Sequence, residues 1–588
     1  MKINGAKTRV VKKLNLIGLH VLSITKKCAY VIGFAAILGA ATPSEAQGFA
    51  GAYLAGNQAN RDNNYDQAAK FYAEALGRDP DNPYLLQNAL LAFVGKGDVD
   101  RAVAIAIKVA SGQFGSQLAD LVLTANAIKK GNFSKAQAIL KDGKDRFSPL
   151  MLGLLSGWVS LGDGKMAAAV DQYDSMQNPQ ALRLFGQYHK ALALASVGDF
   201  EAADYILTGD ENGNMRLNRG SVIAHAQIMS QLDRKDDAIE LLNSVLRGTS
   251  DQGVTMLRDT IEKNGIVDYD FVTDARQGAA EVFLTLANVL EREQDARYAL
   301  VYARLAGYLR PESAEVILLT AEMLQDQQQY DLATRTYAQV KQDDPMFLNA
   351  ELGRADALVD AEKLEAAIEV LRSLTRSHGD VPRVHMALGD VLRGQENYVD
   401  ATEAYDAAVK MIPAPTKNHW FLFYARGITH ERRGDWDQAE ADFRNALELN
   451  PDQPLVLNYL GYSLVEFGLK LPEAQAMIER AVASLQNDGY ITDSLGWVLY
   501  RLGKFDEAVD PMERAVQLVS NDPIINDHLG DVYWMVGRKR EAEFQWRRAL
   551  SFKPEEKDAE RIRLKLDLGL DTALKKTNAT EVATGNDN

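Results

Sequence analysis

Apolar residues recur every three or four positions through most of the chain, in short runs broken by glycine or another turn former. That spacing puts one apolar stripe on a helix, so the pattern predicts a succession of amphipathic helices. The helices share one design. In "NNYDQAAKFYAEALGRDPDNP" (Asn63–Pro83), "GDWDQAEADFRNALELNPDQP" (Gly434–Pro454) and "GKFDEAVDPMERAVQLVSNDP" (Gly503–Pro523), a turn residue is followed two positions later by an aromatic. An alanine comes three after that, an apolar residue four further on, and a second alanine three beyond.

The first alanine recurs as Ala68, Ala102, Ala136, Ala169, Ala203, Ala238, Ala299, Ala333, Ala367, Ala401, Ala439, Ala474, Ala508 and Ala542. The steps stay within one residue of 34, except for 61 before Ala299 and 38 before Ala439. Self-similarity at such a period marks a repeat architecture. Gly97, Gly131, Gly198, Gly434, Gly503 and Gly537 fall between the two halves of a unit, where the turn must leave helical geometry. Pro80, Pro311, Pro345, Pro413, Pro451 and Pro554 close the second helix, which proline cannot continue. The alanines are expected where two helices cross at close range, so that a larger side chain would overpack the contact.

Fourteen units in this register resemble the tetratricopeptide repeat over residues 49–247 and 276–556. The resemblance implies an all-α, right-handed superhelical solenoid of helix–turn–helix units, whose first helices line a concave groove. The organisation expected is an N-terminal lobe (47–247), an insertion or linker (248–275), a C-terminal lobe (276–556), a capping helix (557–571) and a disordered tail (572–588). The insertion reads as a spacer or extra helix, with a partner-docking loop as the rival reading. The extra residues at "PAPTKN" (Pro413–Asn418) read as a longer turn.

The leader changes the picture of where the chain acts. Lys2, Lys7, Arg9, Lys12, Lys13, Lys26 and Lys27 precede an apolar run, Ala29–Ala41, and "TPSEAQ" then supplies small residues at Ser44 and Ala46. Residues 1–46 are therefore expected to be an export signal cleaved after Ala46, with a retained anchor as the alternative. Thirteen apolar residues are short for a bilayer span, which takes about 20. The single cysteine, Cys28, lies ahead of the apolar run, where a lipid-attachment cysteine would not. Cleavage leaves no cysteine, and so neither a disulfide nor a thiol nucleophile. It also leaves 58 basic against 80 acidic residues, a net charge of −22 that repels nucleic acid and anionic lipid. The expected localisation is exported and periplasmic.

Candidate chemistry is sparse. Asp527, His528 and Asp531 lie within five residues, but a zinc site needs three or four converging ligands, and the eight histidines are scattered with no pair three or four apart. "GDGKMAAA" (Gly162–Ala169) resembles a phosphate loop, yet Val159 stands where its first glycine belongs and Met166 where Ser or Thr belongs. There is no GxSxG. No catalytic residue, cofactor or metal is expected, and the chain reads as a non-enzyme.

The repeat register instead marks a groove. The slots that face it in this family hold Phe421, Tyr424, Arg432, Asn458, Tyr462, Tyr490, Asp493, Trp497, Tyr500, Arg501, Asp527, Asp531 and Trp534 in the last four units, with Tyr459 close by. Aromatics and arginine are the usual anchor types of protein interfaces. Trp436, Phe505 and Trp546 are expected in the core, and about half of the groove aromatics between repeats. The lysine–asparagine clamp with which chaperone-binding relatives hold a C-terminal carboxylate is missing, because Asp493, Trp497, Asp527 and Asp531 occupy its slots. The C-terminal third is similar to exported repeat proteins of Gram-negative envelopes, among them a lipoprotein adaptor that activates a C-terminal processing protease. The function expected is a periplasmic scaffold binding an envelope protein or extended peptide. The alternative is a permanent structural subunit of an outer-membrane or secretion assembly.

Overall fold

A computed structural model describes residues 49–112, 115–176, 180–209, 219–246, 251–292 and 296–576. The expected signal (1–46) and the tail from residue 577 lie outside them. The described residues form helices and turns with no strand, and fourteen helix pairs follow the 34-residue register. Each marker alanine sits in the second helix of its pair and is 0% exposed. Close approach explains the choice. A Cβ added at Gly530 would lie 2.4 Å from the Trp546 indole, and one at Gly496 would lie 2.5 Å from Met512. "GDGKMAAA" is a repeat turn, with Gly164 at φ +75° between the helices Pro149–Gly162 and Met166–Asp174. Several first helices open on side-chain caps. Asp522 Oδ1, for example, accepts hydrogen bonds from the main-chain N–H groups of Ile524 and Ile525.

The chain divides into two compact units, residues 1–378 and 379–588. In the first, residues 248–275 do not break the packing. Gln252–Asn264 is an additional helix, with Val254 and Ile261 buried against Val222, Ala226 and Leu242 of repeat six. The chain then runs back along that repeat, where Gln227 donates to Asp270 at 2.6 Å and Gln231 donates to the Val267 carbonyl.

One feature departs from the expected open groove. The seventh pair, Ala275–Arg292 and Ala296–Leu309, lies against the first helices of repeats two to five. Gly278 admits the Trp158 ring, which a Cβ would meet at 2.2 Å. Tyr188 donates to Glu281 (2.9 Å), Arg304 Nε donates to the Gly95 carbonyl (3.0 Å), and Tyr65 donates to Gln327 (2.7 Å). The inner face of these repeats is thus covered by the chain itself. Glu281 is buried there, and burial, reinforced by the nearby Glu315 charge, pushes its carboxyl up to about 8.

The second unit holds repeats ten to fourteen. "PAPTKN" is a loop ending in a short 3-10 turn, Lys417–His419, where His419 Nδ1 accepts from the Thr416 N–H. The charged C-terminal helix, Glu556–Leu568, packs on Lys539–Ser551 in the position of a further first helix. Residues 570–576 are helical, with Leu570 and Ala573 buried, so residues 572–576 depart from the disorder expected of them; the rest of that expected tail lies outside the described residues.

Candidate functional site

Four first helices of the second unit carry the predicted groove residues: Trp420–Arg432, Pro454–Glu466, Gly489–Arg501 and Pro523–Met535. They divide into two groups.

The open group belongs to repeats eleven to thirteen. Trp420, Phe421 and Tyr424 cluster with ring centroids 5.7–6.2 Å apart, and Tyr424 meets Tyr459 edge-on at 5.8 Å. All four rings keep part of their surface in solvent. Tyr459 donates to Glu431 at 3.2 Å. Beside them the Arg432 side chain is 53% exposed. Tyr462 is partly exposed as well; burial, with Glu466 and Asp493 nearby, pushes its phenol far above the ordinary range. Asn458 leaves its Oδ1 buried without a hydrogen bond. Trp497 is sandwiched by Tyr500 (4.8 Å) and His528 (4.0 Å), and its indole N–H donates to Glu466 at 2.6 Å. Arg501 lies 3.7 Å from the same carboxylate. Tyr490 is partly exposed and packs beside Trp497 against the core of the last two repeats.

The closed group corrects the sequence reading. Asp493, Asp527 and Asp531 are buried, at 6%, 0% and 3% exposure, and do not face an open groove. Lys565 of the capping helix, 3% exposed, places its ammonium 2.8 Å from Asp527 and 2.7 Å from Asp531. Arg561 adds a contact to Asp527 at 3.0 Å. Asp531 also accepts from the Trp546 indole N–H at 2.9 Å, while Asp493 pairs with His528 at 3.0 Å. Burial raises the Asp531 carboxyl to about 6, against the pull of Lys565 and with help from Asp527. Burial works to lower His528, but Asp493, with Asp527 and Asp531, more than offsets it and holds the imidazole above its usual value. Trp534 is covered in part by the chain's own end: its N–H donates to Asp571, and Gly569 (φ +77°) passes its ring where a Cβ would lie 2.7 Å away.

The reason is geometric. The slots that face the groove also face the next first helix, so a further helix placed after the last repeat takes them over. Sequence reasoning missed Trp420, Glu431 and Glu466 on the open side, and Arg561 and Lys565 on the closed side. The last two are four apart in "AERIRLKLDL", the spacing of Asp527 and Asp531, which was the available signal. Trp546 is fully buried, as expected, whereas Trp436 stays partly exposed and packs on Phe467 at 4.6 Å. Asp527 and Asp531 converge on Lys565, whereas His528 between them turns to Asp493.

The comparisons with known proteins agree with the register. Tetratricopeptide-repeat family models match residues 352–416, 468–523 and 420–453. A TPR repeat-containing protein of Pseudomonas aeruginosa is 29% identical over 187 residues, covering 32% of this chain and 31% of that one. Tetratricopeptide repeat protein 13 of Homo sapiens is 27% identical over 158 residues, covering 26% and 18%. The chain thus spans less than a third of the length of these relatives. Among solved structures, the Cut9-Hcn1 hetero-tetramer of APC/C is similar at 15% identity and a TM-score of 0.37, covering 89% of this chain and 96% of that one. Yeast Tom70 is similar at 14% identity and a TM-score of 0.29, covering 92% and 99%.

Proposed function

On the premise that this is a tetratricopeptide-repeat protein, we propose that it is an exported scaffold of the cell envelope which holds a partner protein or extended peptide on repeats eleven to thirteen. The observation that carries this reading is the open group: Phe421, Tyr424, Tyr459 and Tyr462 remain partly exposed beside the Arg432 side chain. Flat aromatic surface next to a solvent-exposed guanidinium, which lies 3.5 Å from Glu431, gives large contact area at small entropic cost. Assembly, rather than bond-making, is then the mechanism: one partner is delivered to another, a processing protease being the candidate suggested by resemblance.

The test is a pull-down from the organism's envelope extract with the full chain and with the double variant Tyr462→Ala, Arg432→Glu. A partner captured by the parent and lost by a variant of unchanged circular dichroism supports the reading. Partners held equally by both, and co-migrating with membrane complexes in high salt, would replace it with a permanent structural subunit bound through another face.

A further inference from the structure

Beyond the groove, the first unit holds a cavity of about 290 Å³ where the covering pair meets repeats two, three and eight. Its wall carries four cations, Lys96, Lys129, Arg304 and Arg335, and no acidic residue. In a chain of net charge −16 such a concentration is unexpected. The four are only partly compensated. Asp66 accepts from both Lys96 (2.9 Å) and Arg335. Lys129 places its ammonium over the Tyr308 ring at 3.6 Å, and Tyr308 donates its hydroxyl to Asp100 at 2.9 Å. Two carboxylates therefore stand behind four positive charges.

Arg304 is the group least served. Its Nε is taken by the Gly95 carbonyl, while Nη2 is buried with no acceptor. Burial lowers its affinity for the proton, to about 10, with Arg335 adding a like charge. A guanidinium withdrawn from water is costly, and the nearby Asp66 carboxylate, already shared by Lys96 and Arg335, offsets that only in part. An anion in the cavity would remove that cost. The Thr320 and Thr336 side chains also line the wall; both hydroxyl hydrogens go to main-chain carbonyls, so their oxygens accept rather than donate. The donors left for a ligand are the cations and the Gln339 amide, and guanidinium and ammonium groups suit phosphate oxygens. The volume lies at the lower end of small-molecule sites, roughly 300 Å³.

We propose that this cavity binds a compact dianion of the phosphate type, free or as a small phosphomonoester, through Arg304 and Lys129 with Lys96 and Arg335 behind them. The two uncompensated charges set the preference for a dianion over chloride. The site lies in the first unit, so it stands or falls independently of the peptide-binding reading.

Calorimetric titration of the full chain with inorganic phosphate, and separately with glycerol phosphate, at constant ionic strength in chloride, tests this. Saturable binding is expected, weakened about tenfold or more by Lys129→Gln and by Arg304→Gln. Preference for one of the two titrants identifies the source. Lys129 is exposed at a helix end, so its variant keeps the fold and decides the matter if Arg304→Gln does not. No saturable phosphate binding, or unchanged affinity in Lys129→Gln, overturns the proposal.

Discussion

The ammonium of Lys565 lies within 3 Å of both Asp527 and Asp531, two carboxylates a full repeat earlier in the chain. Among the described residues Lys565 and Arg561 are the cations in contact with Asp527, and burial makes the arrangement unforgiving. Replacing Lys565 by methionine leaves two buried carboxylates short of a partner, a change of about 3–5 kcal/mol. Expected is loss of amide-exchange protection across residues 556–576, with repeats ten to twelve protected as before. Uniform loss across the second unit would show that the cap and the repeats unfold as one.

Glu281 supplies a pH test in the first unit. Its folded pKa of about 8 stands above the ordinary 4.5, so the neutral carboxyl is the form that the folded state favours. The sign follows: its stabilising share is complete below about 4.5 and is lost progressively as pH rises through about 8. Glu281→Gln keeps the shape without the charge. Its stability advantage over the parent should grow by about 1 kcal/mol per pH unit across that window, read from urea midpoints. A constant difference at every pH would contradict the buried, neutral assignment.

Gly530 fills its slot because Trp546 occupies the space of a side chain. Gly530→Ala should destabilise the last repeat by about 1–3 kcal/mol, although alanine is the better helix former. Thermal unfolding followed by tryptophan fluorescence reads this directly, and a stabilised variant would mean the helices can separate at no cost.

Turns between the two helices of a pair require the left-handed region, and in repeat nine that residue is Glu362, at φ +59° on an exposed turn. Glu362→Gly removes the clash of Cβ with the following carbonyl, at the expense of chain entropy. The net expected is a gain of about 0.5 kcal/mol. The same change at a helix-interior position such as Glu369 should destabilise, and the pair of midpoints checks both signs.

The repeat register was legible because it is local: an alanine, an aromatic and a glycine at fixed offsets report on the nearest helix, and all fourteen marker alanines are buried. The face of each first helix was less legible. Asp527 and Trp497 occupy equivalent kinds of slot, yet Asp527 is sealed by Lys565 while Trp497 stays partly exposed. What separates them is the helix that follows, not the residues themselves. The covering of repeats two to five was invisible for a related reason. Gly95 and Arg304 are 209 positions apart, and a contact that occurs once has no period to announce it. Glu281 in "GAAEVFLTLANVL" and Arg304 in "ALVYARLAGYL", each a lone charge within an apolar stretch, were its trace in the sequence.

That long reach matters during synthesis. The chain is made from its N-terminus, at roughly 5–20 residues per second, so the end of repeat five precedes the end of the pair that covers it by roughly 5–20 seconds. Until Ala275–Arg292 and Ala296–Leu309 emerge, the Trp158 ring and the Gly95 carbonyl respectively lack neighbours they have in the finished unit. An array built of nearest-neighbour contacts would mature in step with the ribosome. This one carries an interval in which its first third is made but unfinished, and in which a holding chaperone would have its clearest opportunity to bind.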